Sequence, residues 1–529
     1  MNALDWLVVA VYMAVLIVLS GYLNRSQAGV EDYYLGGRSM PWWAIGLSTM
    51  ATQLGAISFI SAPAFVALKP GGGLTWLGYE FAVPASVIFV MVFIIPVVHA
   101  EKIVTVYEYL EKRFDAGTRA VVSGIFQIGR ALATGVSIYA IGIVLSVIWE
   151  LPIVPTILFI GVVTIIYDTW GGMKAVVWSD VLQMVLLTLG ILVCGISAYY
   201  LTGGWESVLA EFDRERLRIL RLGSSGLGDG DDFSFWAFLV GGFFLYVSYY
   251  GCDQSQIQRE LSAGTVDDAR KSLMFNGIVR FILVSAYVAM GLLIGAFAYR
   301  NEHFYSLIPK DKVDYMVPVF VLNYLPHGVI GFLVVALLAA FMSSLDSSIN
   351  SLSAATMKDV YQRYIRPGSD EKHYLLWSRI LTVFWGAVCT GLAFVVGSIS
   401  DTIIEAINKV GSLFYGPVLA VFILAILVKR TGALGAKLAV IGGVSVNLVI
   451  WIGFPQVSWL WWNAAGCLAG VGTGYLQGLV FPEKGFTAET DKIPEISGWS
   501  DWSKNYIILG IYFFSIVLIS YIVERIWLG

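Results

Sequence analysis

The sequence predicts an all-α membrane protein of about 14 transmembrane helices, arranged as a five-plus-five inverted repeat with additional helices. Three observations predict this. The chain is 58% hydrophobic and only 13% charged, and its apolar residues gather in runs long enough for spanning helices of about 20 residues. Two of the runs, five helices apart, are interrupted by glycines and polar residues. A third turns from apolar to hydroxyl-rich between Leu337 and Ser353. The net charge of −4 carries no acidic or basic block, and no nucleic-acid patch is visible.

In chain order the apolar runs are 4–23, 41–68, 76–99, 120–148, 153–170, 176–202, 233–251, 273–298, 327–355, 376–397, 403–428, 434–453, 458–481 and 505–526. The first lacks a basic leader and a small-residue cleavage site, so a retained helix is expected. The second holds Gly46, Ser48, Thr49, Thr52, Gln53 and Gly55. The seventh breaks at Gly251 and continues as a polar stretch through Asp253 to Arg259. Unwound turns free backbone carbonyls for a cation and amides for an anion. Plain glycine kinking is the alternative. The whole chain, 1–529, reads as one transporter domain. Its core repeats are about 41–202 and 233–428, and its extra helices 4–23, 434–453, 458–481 and 505–526.

Loops are short apart from 203–232 and 482–504. Glu206 to Leu222 is amphipathic and predicts a surface helix, and 482–504 reads as a tether for the last span. No G-x-x-x-x-G-K-[ST] phosphate loop occurs, which points to an ion gradient as the energy source. With the N-terminus outside, Lys102, Lys112, Arg113, Arg119, Arg259, Arg270, Lys271, Lys358, Arg363, Lys429 and Arg430 all fall in cytoplasmic connections. The expectation is a multi-pass protein of the plasma (inner) membrane with an extracytoplasmic N-terminus.

The hydroxyl-rich span carries the chemistry. Ser343, Ser347 and Ser351 share a helix face, Ser344 and Ser348 form a neighbouring row, and Asp346 lies between. A carboxylate in a span is costly, and hydroxyls beside it suit a small hard cation. A small-residue packing face is the alternative. Cys194, Cys252, Cys389 and Cys467 sit in or beside spans and form no C-x-x-C site.

Three motifs resemble the sodium/solute symporter family. Gly171-Gly-Met-Lys-Ala-Val-Val-Trp-Ser-Asp-Val-Leu-Gln183 is the first. Asp253-Gln-x-x-x-Gln-Arg259 looks most like the sugar-carrying branch. The third joins Ala340-x-x-Ser343-Ser344 to Asn350-Ser351 and Lys358-Asp359-Val-Tyr361. The resemblance implies a LeuT-type fold, sodium as the coupling ion and a small solute as cargo. It also implies a main sodium site from the carbonyls of Ala51, Leu54 and Ala340 and the hydroxyls of Ser343 and Ser344. A second sodium site would use Asp180, Ser343, Asp346 and Ser347. Asp346 stands where relatives commonly carry Ser or Thr, a departure open to a stronger cation site, a proton or a basic partner.

For the solute, the resemblance implies Glu80 on sugar hydroxyls, Tyr249 and Tyr250 as stacking rings, and Ser58 and Asp253 nearby. Arg280 stands where sugar carriers often have Lys, and Lys409, beside Asn408, replaces a glutamine. Arg130 is similar to the arginine that holds a carboxylate in sialic acid carriers. Glu80 as a mere counter-charge to Arg130 or Arg280, and Glu405–Lys409 as an i, i+4 ion pair, are the structural alternatives. The sequence thus favours sodium-coupled import of a sugar or polyol. The alternatives are an acidic sugar or other carboxylate, and, in another class, an ion channel or solute-gated receptor.

Overall fold

The computed structural model describes residues 1–24, 29–309, 312–395, 403–428, 430–481 and 499–528. The predicted tether at 482–498 lies outside the described residues. Among the described residues, each apolar run is mostly helical, in one helix or two successive ones. We label the main ones α1 (Ala3–Asn24), α2 (Trp42–Gln53), α3 (Ala56–Ala67), α4 (Leu74–Ala100), α5 (Ala116–Trp149), α6 (Ile153–Thr202), α7 (Ala237–Cys252), α8 (Gln254–Leu261), α9 (Val266–Arg300), α10 (Val329–Ala355), α11 (Glu371–Leu392), α12 (Ile403–Leu427), α13 (Ala433–Gly453), α14 (Trp459–Val480) and α15 (Trp499–Leu528).

Among the described residues ten helices are long and apolar enough to cross a membrane, or eleven with the bent pair α2/α3 taken as one span. The sequence count of fourteen divides the chain more finely. It splits the 50-residue α6 at Gly172 and adds α14 and the shorter α7. Gly172 takes φ 57° and ψ −163°, a backbone setting open to glycine, so the two apolar runs of α6 meet at a kink.

Local chemistry sets the helix ends. The Asp115 carboxylate accepts the Thr118 amide at 2.6 Å and starts α5. Thr265 does the same for α9 through Asp268 at 3.1 Å. Asp253 ends α7 with an extended backbone and starts α8 by accepting the Ser255 amide at 2.9 Å. The predicted surface helix from Glu206 to Leu222 is instead two short pieces, Trp205–Glu211 and Arg214–Leu217. Phe212 is extended between them, and Asp213 caps the second piece.

α10 is the most enclosed span, with 83% of its apolar window buried against 22% for α15 and 28% for α1 and α11. It packs on α6, which also packs on α9, α2 and α1. α8 fits between α10, α2 and α9. The broken helix α2/α3 therefore packs against the most enclosed span, and α1 and α15 are among the least enclosed. Three arginines read as cytoplasmic are buried: Arg119 (7% exposed), Arg259 (0%) and Arg270 (3%). Arg119 sits 2.7 Å from Asp359, which also accepts from Thr105 and Ser123.

Candidate functional site

Leu54 and Gly55 separate α2 from α3, which bend by 53°. Leu54 takes φ −101° and ψ 50°, while its amide still closes onto the Met50 carbonyl at 2.8 Å. Beyond the break, the Ser58 amide closes onto Gly55 at 2.9 Å. The carbonyls between these two closures leave the regular helical ladder. One of them, Thr52, accepts the Ser344 hydroxyl from α10 at 3.0 Å. Gly55 lies flat against the same helix. A Cβ there would strike the Ser344 hydroxyl and stand 3.2 Å from the Ala340 carbonyl. Ala51, Leu54, Ala340 and Ser343 are buried. The structure thus brings Thr52, Gly55, Ala340 and Ser344 to one contact between the α2/α3 break and α10, next in sequence to the buried Ala51, Leu54 and Ser343.

One turn along α10, Ser347 meets a buried charge cluster. Its hydroxyl shares a hydrogen bond with Thr52 at 3.0 Å, donates to the Ser343 carbonyl at 2.5 Å, and accepts from Arg259. Arg259, from α8, also donates to Ser48 at 2.7 Å and to Asp180 at 3.1 Å. Ser48 donates to Asp180 at 2.5 Å. Among the described residues Asp346 makes no direct ion pair: its Oδ2 accepts from Tyr167 at 2.7 Å, and its Oδ1 lies 3.2 Å from Ser347. Ser343 faces Asp180 and Asn350 faces Asp168, while Gln183 Oε1 is buried with no hydrogen-bond partner among the described residues. Unpartnered buried oxygens are costly unless something else satisfies them. Sequence reasoning missed Arg259 and Asp168 as members of this cluster. The signal for Arg259 was its place in a polar stretch continuing a broken span; Asp168 is a carboxylate inside the apolar run 153–170.

Beside the break lies a cavity of about 140 Å³. Gln53 and Ser58 line it from the broken helix, Trp76, Tyr79 and Glu80 from α4, Arg130 from α5, Tyr249 from α7, Arg280 from α9, Ser344 from α10 and Asn408 from α12. Arg280 is anchored on four sides. It donates to Glu80 at 2.5 Å and 3.2 Å, to the Tyr246 hydroxyl at 2.9 Å, and to Gln53. Its guanidinium also sits 4.9 Å from the Tyr246 ring centre. Arg130 pairs with Asp253 and lies 5.5 Å from the Tyr249 ring centre. Tyr79 donates to Asn408 at 3.0 Å. Each arginine therefore carries its own carboxylate, so the cavity presents neutral, donor-rich pairs beside aromatic faces.

Not every expected residue reaches the cavity. Adjacent residues on a helix point about 100° apart. Tyr249 faces the cavity while Tyr250 packs beside Tyr246, and Asn408 faces it while Lys409 turns to Glu405 at 3.8 Å. Asp253 is committed to Arg130 and to the cap of α8.

A helix broken at a hydroxyl-bearing neighbour, beside a polar cavity in the middle of a bundle of spans, defines an ion-coupled membrane carrier. The chain belongs to the sodium:solute symporter family, whose family model matches residues 33–443. Sodium is therefore its coupling ion, and it is a multi-pass membrane transporter. It is 28% identical to the sodium/sialic acid symporter NanT of Aliivibrio fischeri over 94% of this chain and 96% of that one. It is 28% identical to the sodium/glucose cotransporter of Vibrio parahaemolyticus over 85% of each chain. It is 31% identical to sodium-coupled monocarboxylate transporter 2 of Danio rerio over 84% of this chain and 71% of that one. Its fold matches the outward-open structure of a sodium-coupled sialic acid symporter with a TM-score of 0.80 at 24% identity, covering 91% of this chain and 99% of the other.

Proposed function

We propose that this symporter imports a small hydroxyl-rich solute, a sugar, driven by sodium and by alternating access. The observation that carries the reading is the cavity itself. Glu80 and Arg280 form a neutral pair with hydrogen-bonding capacity left over, and Trp76, Tyr79 and Tyr249 supply faces on which a sugar ring stacks. The cavity adjoins Ser344, so a sodium ion held by Ala51, Leu54, Ala340, Ser343 and Ser344 would brace its wall. The named sialic acid and glucose carriers among the relatives support the same class. The test is uptake into proteoliposomes of a panel of neutral sugars, acidic sugars and monocarboxylates, with sodium or potassium outside. Uptake of a neutral sugar in sodium alone supports the reading; uptake of a monocarboxylate alone rejects it.

Arg130 favours one second reading, an acidic sugar. Its guanidinium lines the cavity, and a solute carboxylate would have to compete with Asp253 for it. The same panel separates the two solutes.

The finer arrangement belongs to this proposal. A second cation sits among Asp180, Ser343 and Ser347, with Asp346 at its edge, and the facing oxygens of Asp180 and Ser343 support it. The spans 41–202 and 233–428 are two inverted repeats, each opened by a broken helix. The protein lies in the plasma membrane with its N-terminus outside.

A further inference from the structure

Glu260 takes no part in the sodium or solute sites described above. It lies on α8 and is 1% exposed. Its Oε1 accepts two hydroxyl hydrogens, from Thr49 of α2 at 3.1 Å and from Ser272 of α9 at 3.1 Å. Its Oε2 is also buried and has no hydrogen-bond partner among the described residues.

No cation among the described residues pairs with it. Its sequence neighbour Arg259 is committed to Asp180, Ser48, Ser347 and the Ser255 carbonyl. The charged groups on the elements packed against α8 are engaged elsewhere as well. On α9, Arg270 reaches the Met91 carbonyl and Asp267, and Lys271 reaches Asp268. On α4, His99 meets the Ala263 carbonyl. On α10, Asp346 accepts from Tyr167. In the short helix Val30–Leu35, Glu31 pairs with Arg38 and Tyr34 meets Ser353. On α7, the Tyr249 hydroxyl accepts from Gln256. α2 brings Thr49, an uncharged group.

An ionised carboxylate buried without a counter-ion costs several kcal/mol, so such a group takes a proton instead. Two hydrogens already occupy Oε1, which leaves Oε2 as the seat of that proton. We propose that Glu260 is a proton-binding site of this carrier. In the conformation described here the carboxylate has combined with a proton from water to give the neutral acid, and the proton is a ligand additional to sodium. The site joins α2, α8 and α9, and Thr49 stands two residues before Ala51 on the helix that leads to the break. Loss of the proton would place a negative charge at the joint between these elements.

The test is infrared difference spectroscopy on the purified full-length protein, wild type against Glu260→Gln, titrated with protons alone. The expected result at neutral pH is a neutral carboxylic C=O band in the wild type that Glu260→Gln lacks and that alkaline pH removes. Carboxylate bands at neutral pH in that difference would overturn the proposal. Thr49→Val supplies a second arm that keeps the acid in place. Hydroxyl donors favour the charged form, so losing one should move the alkaline midpoint of the band to higher pH. A C=O band that persists in Glu260→Gln does not belong to Glu260 and would also overturn the proposal. Neither arm passes through transport, so a failure here is distinct from a failure of the symport reading.

Discussion

Single side chains decide the affinities. Ser344 bridges α10 to the Thr52 carbonyl at the break, and the Ser343 hydroxyl is buried beside it. Removing one oxygen from a buried polar site costs about 1–3 kcal/mol, roughly 5- to 150-fold in affinity. Ser343→Ala and Ser344→Ala should each raise the sodium concentration for half-maximal uptake by about that factor. A wild-type sodium response in both variants would show that these hydroxyls bind no sodium. Glu80 calls for a different test, because Arg280 holds it on both oxygens. Removing one partner of a buried pair strands the other charge and costs about 3–5 kcal/mol, whereas replacing both is often near neutral. Glu80→Gln should therefore lower the melting temperature in detergent more than the double change Glu80→Gln with Arg280→Gln. The reverse order would mean that the pair does not hold the cavity wall. Much of this was legible as a set of residues, but which arginine meets Glu80 was left open between Arg130 and Arg280. Glu80 and Arg280 are 200 positions apart in the chain, and nothing local to either shows that they meet. Lys409 and Tyr250 were placed by the resemblance, which does not show the turn of about 100° that separates them from Asn408 and Tyr249.

At the scale of the element, the breaks were readable and the caps were not. Gly55 is needed because the backbone of the break touches Ala340 and Ser344 directly, and a sequence shows that as a glycine among polar residues in an apolar span. Gly55→Ala should push α2/α3 away from α10 and weaken sodium-driven uptake at least as much as Ser344→Ala does. Equal uptake by Gly55→Ala and wild type would separate the break from the sodium contact. The amphipathic stretch after residue 205 misled for the opposite reason. Its apolar spacing is helical, but Asp213 restarts the chain as a new helix by capping Arg216. Asp115 caps α5 and also meets Lys437 of α13 at 2.6 Å. Partial burial raises its carboxyl, but Lys437 and the amide and hydroxyl of Thr118 outweigh that and hold it below its ordinary value of 3.8. A carboxyl lowered on folding adds stability above its unfolded value and loses it as pH falls through the folded one. Asp115→Ala should therefore cost about 1 kcal/mol near neutral pH, and the gap between variant and wild-type melting curves should close on acidification below the usual carboxylate range. A gap that stays constant into acid would mean that packing, not charge, holds this joint.

At the scale of the whole molecule, the proposed sodium sites would tie separate elements together. The break of α2/α3 and the hydroxyl row of α10 supply one candidate site, while Asp180 of α6 and Ser347 of α10 form the core of the other. The fold class was legible because apolar runs and broken helices are local patterns. The place of Arg259 between Asp180 and Ser347 was not, since it joins a third, distant element to the two that the resemblance paired. Their arrangement makes the number of bound ions measurable without knowing the solute. An ion that binds the folded protein stabilises it by RT ln(1 + [L]/Kd). Well above Kd, each tenfold rise in sodium then adds about 1.4 kcal/mol for every ion bound. Two sites should therefore give a slope of unfolding free energy against the logarithm of sodium twice that expected for one. Asp180→Asn removes the carboxylate of the second site and leaves the α2/α3 contact with α10 in place, so it should halve the slope. Ser344→Ala should also lower stabilisation at a given sodium concentration, but by shifting the curve along the sodium axis. A wild-type slope of one ion, unchanged by Asp180→Asn, would reject the second site and leave Asp180 as the counter-ion of Arg259 alone.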